Sequence, residues 1–351
     1  MSVTLKTIAE RANVSVMAAS AALNNTTRTR ISAEKREYIR RIAAELGYRP
    51  NIMAQKLSGG ASHLIGVIID SYVHSSSARI LRGVEEEAGR NGYRILVAEQ
   101  HESVSGIAEF FRVFEQYGVD GIISLAHDYS GEGKSLKQLF RGQKHVVLWE
   151  ESPVIDAPYA AIDPEGAFRE LIGGWKSSGR IRPAILLNAD FNRQLITRTR
   201  LFGDICREFG FAPEVIKVEA DPDDTELPVR LERAIGEEIL PRKVDCVLAE
   251  NDIWACVVIG AAARMGVRVP EDLAVTGWDN EPFCRGLVPS LASISINAEE
   301  IGRRLTGLFF QVLKNEAAPS VAVPAKFFCR ESCGFSLEAP TAAKGSEENK
   351  M

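Results

Sequence analysis

The segment 4–25, "TLKTIAERANVSVMAASAALNN", determines how the start of the chain folds. Thr4 can cap a first helix, and Ser15 can cap a second helix over residues 16–23. Asn13 lies between them and tolerates the left-handed backbone that a tight turn requires. Two short helices joined by a three- or four-residue turn form a helix-turn-helix.

A third helix is predicted to start after Ser32 and to run to Leu46, where Gly47 ends it. Its apolar residues recur at the spacing of one buried helical face. These are Ile39, Ile42, Ala43 and Leu46. The predicted head is therefore all-helical.

The charge of the chain is unevenly distributed. Residues 1–60 contain ten Lys/Arg and four Asp/Glu, a net charge of +6 in a chain whose total is −5. The remainder therefore carries −11. A basic head on an acidic body predicts that any nucleic-acid contact is confined to one end. A solvated, charged helical face is the alternative explanation.

From Leu64 onward, apolar runs of strand length alternate with amphipathic helical segments. This pattern is typical of parallel sheets covered by helices on both faces. About eight such strands favour two doubly wound subdomains over one wide sheet, with a ligand cleft at the carboxyl ends of the strands. The predicted strands are "LIGVIID", "YRILVAE", "VDGIISLA", "HVVLWEE", "RPAILLN", "EVIKVE", "DCVLAE" and "LAVTGWD".

Several other classes of protein are disfavoured. The six cysteines form no CxxC pair and have no metal-ligand spacing with the five histidines, so we expect free thiols and no metal or cofactor. No apolar run is long enough for a membrane span, and no signal peptide is evident, so we expect a cytoplasmic protein. "SGEGKS" (130–135) resembles the end of a phosphate-binding loop, but Asp128 occupies the position of its first glycine. No catalytic motif is present.

The motifs along nearly the whole chain resemble the lactose-repressor (LacI/GalR) family of bacterial transcription regulators. The resemblance is carried by 4–25 and, in the family's order, by the segments "ISAEKREYIRRIAAELGYRPN", "AQKLSGGASHLIGVII", "LRGVEEEAGRNGY", "GVDGIIS", "LAENDIWACVVIGAAARMGVRVPEDLAVTGWDN", "PSLASISI" and "CRESC". It implies a helix-turn-helix head and a body built like periplasmic binding proteins. It also implies a non-enzymatic regulator, expected to act as a repressor.

The resemblance implies that the second helix enters the major groove of DNA. Val16, Met17 and Ala21 then occupy the positions that meet base edges, and Ala19 and Leu23 face the core of the head. The expected DNA-contacting residues of the head are Thr4, Ser15, Val16, Met17, Ala18, Ser20, Ala21, Asn24 and Arg30. Because the base-reading positions are apolar, we expect contacts to thymine methyl groups and a half-site that contains A/T pairs.

The segment 49–60, "RPNIMAQKLSGG", matches the hinge helix of the family. Pro50 sets a boundary before it, and Asn51 can cap it. By resemblance, Leu57, with Ala54 beside it, wedges into the central base step of the operator and kinks the DNA. Simple apolar packing of Leu57 in a linker is the alternative. Such a short helix is marginal in water alone, which makes it suited to a switch.

The resemblance also places a small-molecule effector between the two subdomains. Arg200, Asn251 and Asp279 transfer by motif, and Ser71, Tyr72 and Ser76 are further expected contacts. A surface ion pair for Arg200 and a cap for Asp279 are the alternatives. Ile296 stands where some members carry a polar contact. The effector is expected to be a sugar or a sugar derivative.

The expected organisation has four parts. These are a head over 1–48, a hinge over 49–60, a body over 61–335 and a disordered tail over 336–351. The body divides into an N-subdomain (about 61–160 and 292–322) and a C-subdomain (about 161–291 and 323–335). The predicted function is a homodimer on a palindromic operator with effector-controlled affinity. The alternative is a soluble small-molecule-binding or enzymatic α/β protein whose head does not bind DNA.

Overall fold

The computed structural model describes residues 3–23, 31–48, 61–70, 75–100, 104–126, 133–189, 193–219 and 225–336. Internal contacts divide the chain into two compact units, residues 1–62 and 63–351. No helix in the described ranges is long and apolar enough to cross a membrane.

The described residues of the first unit form three helices, as predicted: α1 (Leu5–Ala12), α2 (Val16–Leu23) and α3 (Ala33–Glu45). Their amino ends are capped by the hydroxyls of Thr4, Ser15 and Ser32, which accept hydrogen bonds from backbone N–H groups. Asn13 adopts the left-handed conformation, with φ of 51°. The helix-turn-helix is therefore specified locally by its caps and its turn.

Two basic side chains of α3 bind the carboxyl ends of the other helices. Lys35 Nζ donates to the carbonyl of Ala12 at 3.2 Å, and Arg36 Nη1 donates to the carbonyl of Ala21 at 2.8 Å. Cations at helix carboxyl ends satisfy free carbonyls and complement the helix dipole. Part of the positive charge of the head is thus structural.

The second unit contains two sheets. The first sheet has the strand order β11-β5-β4-β3-β1-β2, and all its neighbouring strands are parallel. Its strands are β1 (Leu64–Asp70), β2 (Arg94–Gln100), β3 (Gly121–Ser124), β4 (Val146–Trp149), β5 (Tyr159–Asp163) and β11 (Val321–Pro324). Its helices are α4 (Ser75–Arg90), α5 (Val104–Tyr117), α6 (Gly133–Phe140) and α11 (Ala298–Leu313).

The second sheet has the order β12-β10-β9-β8-β6-β7, and only the β10–β12 pair is antiparallel among the pairs described. Its strands are β6 (Pro183–Asn188), β7 (Glu214–Val218), β8 (Cys246–Ala249), β9 (Ala274–Trp278), β10 (Ala292–Ser295) and β12 (Lys326–Phe328). Its helices are α7 (Glu165–Ser177), α8 (Arg193–Glu208), α9 (Leu227–Ala234), followed by a π-helical turn (Ile235–Ile239), and α10 (Asp252–Arg264). Short 3₁₀ turns span Pro282–Gly286 and Glu331–Cys333.

The eight predicted strands are all present, but one subdomain boundary differs from the prediction. The expected N-subdomain included residues 292–322, whereas β10 pairs with β9 and β12 in the second sheet. The alternating serines of β10 do not indicate a buried strand, yet the strand is fully buried. Its burial is possible because Ser293 Oγ donates to the buried Asp252 carboxylate at 2.6 Å. The chain therefore returns to the first subdomain at 296–297, not at 292.

The chain crosses between the subdomains three times, after β5, after β10 and after β11. Hydrogen bonds connect these crossings. The Ala325 N–H donates to the carbonyl of Asp163 at 2.8 Å, and Asn297 Nδ2 donates to the carbonyl of Pro324. The three connections consequently lie side by side.

Helices α4 and α11 pack at unusually short range. A Cβ atom on Gly83 would lie 2.2 Å from the Glu299 carbonyl oxygen, and one on Gly302 would lie 2.1 Å from that of Ile80. Only glycine permits this approach of the two backbones.

All six cysteines are free, as expected. Cys206, Cys246, Cys284 and Cys333 are buried, whereas Cys256 and Cys329 are half-buried.

Candidate DNA-recognition helix and effector site

The outer face of α2 exposes two large apolar side chains. Met17 is 74% exposed and Val16 is 47% exposed, whereas Ala19 is fully buried in the core of the head. Leu23 packs partly buried against that core. Exposed apolar groups at the start of a helix are available for a partner surface.

Ala21 differs from its predicted position. It was expected to point outward with Val16 and Met17, but it is only 5% exposed. Ala21 lies four residues after Met17, on the same side of α2, but α3 packs against this end of α2, where Arg36 Nη1 donates to the Ala21 carbonyl. Ala21 therefore belongs to the packing of the head, and Val16 and Met17 are the exposed residues of the three.

The other predicted DNA contacts fall into two groups. Thr4 and Ser15 are exposed caps, and Ala18 and Ser20 are half-buried on α2. The remainder lie outside the described residues: Asn24, Arg30, Asn51, Ala54 and Leu57.

On α8 the buried arginine is Arg198, not the predicted Arg200. Arg200 is exposed, whereas Arg198 is only 8% exposed and shares the buried face of the helix with Phe202 and Ile205. Helical periodicity accounts for this difference, because Arg198 lies four positions before Phe202 and seven before Ile205, on the buried face of α8. The role of Arg200 as an effector contact stays a prediction.

Arg198 carries unused hydrogen-bonding capacity. Its Nε and Nη2 atoms have no hydrogen-bond partner among the described residues. Burial lowers its pKa to about 10, and the nearby carboxylates of Glu250 and Asp279 act in the opposite direction. Because a buried donor without a partner is costly, such a side chain is suited to a ligand that supplies acceptors.

Asp279 follows β9 directly, at the carboxyl edge of the second sheet, as the motif implied. It has a positive φ of 100° and is 4% exposed. Burial, together with the nearby carboxylates of Asp252 and Glu281, raises its pKa to about 7, and Arg198 and Arg79 act in the opposite direction. The carboxyl group is therefore near its titration point at neutral pH.

The first subdomain reaches this site through Arg79 on α4. Its Nη2 atom donates to the backbone carbonyl of Asp279 and lies 3.8 Å from Oε1 of Glu281. Both side chains of this ion pair are mostly buried, at 20% and 10% exposure. Arg79 therefore connects the two subdomains beside Asp279.

Asn251 is buried and opens α10, as predicted, but its Oδ1 atom accepts from the Trp254 N–H at 2.9 Å. Its neighbour Asp252 accepts from the Glu281 N–H and from Ser293 Oγ, both at 2.6 Å. Asp252 thus fixes the loop after β9 that carries Asp279.

On the first subdomain, Ser76 and Ser77 are buried near the start of α4. The Ser77 hydroxyl and the Trp149 indole N–H have no partner among the described residues. Ser71 and Tyr72 lie outside the described residues, and Ile296 is a core residue. Six residues that line or border this site were not predicted as contacts: Ser77, Arg79, Trp149, Glu250, Trp278 and Glu281.

Comparisons with known proteins agree with both units. Residues 4–51 match the bacterial regulatory proteins of the lacI family, and residues 176–333 match the periplasmic binding protein-like domain. The chain is 26% identical over 344 residues to a ribose operon repressor of Bacillus subtilis (strain 168), covering 94% of this chain and 98% of that protein. It is also 26% identical over 329 residues to the repressor PurR of Pasteurella multocida (strain Pm70), with 91% and 94% covered.

Among solved structures, the Lac repressor dimer bound to operator and the anti-inducer ONPF superimposes with a TM-score of 0.81. That match has 21% identity and covers 95% of this chain and 99% of the other, and it supports the fold. The match over 4–51 favours a DNA-binding regulator over a binding protein or enzyme with an unrelated head. The chain thus joins a DNA-binding domain of the lacI family, over 4–51, to a periplasmic binding protein-like domain, over 176–333, which is the organisation of a DNA-binding transcriptional regulator.

Proposed function

We propose that this protein is a cytoplasmic repressor that binds a palindromic operator as a homodimer and responds to a sugar or sugar derivative. The observation that carries the effector site is the buried Arg198, whose Nε and Nη2 atoms have no partner among the described residues. Paired hydroxyls of a sugar donate to a carboxylate and accept from a guanidinium. Asp279 and Arg198 supply these two groups.

Effector binding is coupled to DNA binding through the angle between the two subdomains. Arg79 of the first subdomain binds the backbone of Asp279 in the second, so a ligand that engages Asp279 changes the contacts across the cleft. A change in the subdomain angle orders or melts the hinge helices predicted at 51–58. Operator affinity then follows the coupling free energy between the two sites.

DNA recognition is divided between two elements. Met17 and Val16 contact thymine methyl groups in the major groove, and Leu57 from each subunit wedges into the minor groove. Without a bidentate arginine on α2, more of the specificity resides in the deformability of the DNA. The operator is a palindrome of about fifteen to twenty base pairs with A/T pairs in each half-site.

Two measurements on the full-length protein test this proposal. Selection from random duplexes at moderate salt is expected to enrich one A/T-containing palindrome, and a thermal-shift screen of sugars, sugar acids and nucleobases is expected to yield a hydroxylated ligand. Leu57→Ala is expected to lower operator affinity and to leave the thermal shift unchanged. Failure to enrich any duplex would overturn the DNA-binding role, and equal operator affinity of the variant would overturn the wedge.

A further inference from the structure

Two cysteines near the end of the described chain form a close thiol pair. The Sγ atoms of Cys329 and Cys333 lie 3.3 Å apart. Cys329 follows β12, and Cys333 ends the 3₁₀ turn Glu331–Cys333. A disulfide has an S–S distance of about 2.05 Å, so a movement of little more than ~1 Å joins the two sulfurs.

The pair combines a half-buried thiol with a buried one. Cys329 is half-buried, and the thiol 3.3 Å from it belongs to the fully buried Cys333. Cys256 is also half-buried, whereas Cys206, Cys246 and Cys284 are each fully buried. An accessible thiol backed by a second thiol is the arrangement of a reactive cysteine with its resolving cysteine.

Arg330, which directly follows Cys329, connects the pair to the candidate effector site. Arg330 Nη2 donates to Oδ1 of Asn280 at 2.6 Å, and its Nη1 atom donates to the carbonyl of Leu291. Asn280 directly follows Asp279. A change in the backbone around Arg330 therefore acts on the loop that carries the site carboxylate.

We propose that Cys329 and Cys333 are a redox modification site that a peroxide converts to an intramolecular disulfide. The Cys329 thiolate attacks one peroxide oxygen, the O–O bond breaks, and a sulfenic acid and water form. The Cys333 sulfur then attacks the sulfenic sulfur, the S–S bond forms, and a second water leaves. Two thiols lose two electrons and two protons, and one hydrogen peroxide becomes two waters. A thiol reductant reverses the change.

The sequence provides a direct readout. Trypsin cleaves after Lys326, Arg330 and Lys344, so the two cysteines fall on separate peptides, 327–330 and 331–344. After treatment of the native full-length protein with a small excess of hydrogen peroxide, non-reducing mass spectrometry is expected to find these two peptides joined. Two of the six thiols are expected to become unreactive after denaturation, and dithiothreitol is expected to restore both.

Two variants make the test specific. Cys329→Ser is expected to abolish the joined peptides, whereas Cys256→Ser, which removes the other half-buried thiol, is expected to retain them. Joined peptides in Cys329→Ser, or six reactive thiols in the treated wild type, would overturn the proposal. Joining only between different chains, recognised by mixing light and heavy isotope-labelled protein, would also overturn it.

The link to the effector site has its own measurement. Backbone amide exchange in the segment 279–291 is expected to increase at least severalfold on oxidation of the wild type and to stay unchanged in Cys329→Ser. Identical exchange in the oxidised and reduced wild type would show that Arg330 does not transmit the change.

Discussion

The guanidinium carbon of Arg198 lies 4.4 Å from the centroid of the Trp278 indole ring. A guanidinium over an aromatic face gains a cation–π interaction and leaves its N–H edges free. This contact holds a charge in a buried position while two of its nitrogen atoms, Nε and Nη2, have no partner among the described residues. Arg198 is therefore preorganised for a ligand.

Arg198→Met is expected to weaken effector binding. Loss of charged hydrogen bonds worth about 1.5–3 kcal/mol lowers affinity roughly 10- to 100-fold. The measurement is titration of the variant with the sugar identified by the thermal-shift screen. Arg200→Met on the exposed face of α8 is the control, expected to bind as the wild type does. A lower effector affinity for Arg200→Met than for Arg198→Met would instead indicate Arg200 as the ligand contact.

Asp279→Asn is expected to stabilise the ligand-free protein at pH 8 more than at pH 4. The pKa of Asp279 is about 7 in the folded state and near 3.9 unfolded, so the folded state binds the proton more tightly and the wild type loses stability as pH rises between these values. The integrated difference is roughly 3–4 kcal/mol at most. Denaturant unfolding across this pH range measures it.

Asp272→Asn provides a control of opposite sign. Arg268 lowers the pKa of the exposed Asp272 carboxyl to about 2, so its stabilising effect is present at neutral pH and is lost as pH falls toward 2. This variant is therefore expected to be less stable than the wild type at neutral pH. Parallel pH profiles for the two variants would contradict the assignment of Asp279 as a buried, destabilising carboxyl.

Met17→Ala is expected to remove the preference of the protein for thymine over uracil in the half-site. Replacing thymine by uracil in the half-site removes one methyl group, worth about 0.8 kcal/mol or fourfold in wild-type affinity. The variant is expected to bind both duplexes equally, as measured by fluorescence anisotropy. Its stability is expected to change by less than about 0.5 kcal/mol, because the side chain is 74% exposed. A thymine preference retained by the variant would assign methyl recognition to another residue.

Gly302→Ala is expected to destabilise the body by about 3 kcal/mol, because its Cβ would lie 2.1 Å from a backbone oxygen of α4. Gly307→Ala on the same helix meets nothing within 4 Å and is expected to be stabilising by about 0.5–1 kcal/mol. Thermal unfolding of both variants measures the difference. Equal melting temperatures would argue against the close helix crossing.

The sequence predicted the elements whose signals are local. The caps Thr4, Ser15 and Ser32 and the apolar run of each of the eight strands define their elements without tertiary context. The strand β10 was not predicted, because its serines are polar residues that do not indicate a buried strand. Asp252 provides the buried hydrogen-bond partner that one of them needs. Its place in the second sheet depends on a contact between residues 41 positions apart.

The site residues were predicted less well for a related reason. Asp279 follows a recognisable strand, whereas the choice between Arg198 and Arg200 depends on which side of α8 faces the sheet. Arg79 belongs to a different subdomain from Glu281, whose carboxylate it contacts, and no local pattern connects the two residues. The burial of Ala21 likewise depends on a tertiary contact, because Arg36 of α3 donates to its carbonyl from 15 positions away.

The three crossings between the subdomains determine the order in which the protein can fold during its synthesis. The head is complete once α3 has left the ribosome, but the first sheet lacks its edge strand β11 and its covering helix α11 until residues beyond 320 have been made. A chain truncated near residue 290 is expected to retain a folded head and to expose the apolar face that α11 covers, and therefore to aggregate. Truncated translation products of this regulator thus keep a folded head and lose a folded body.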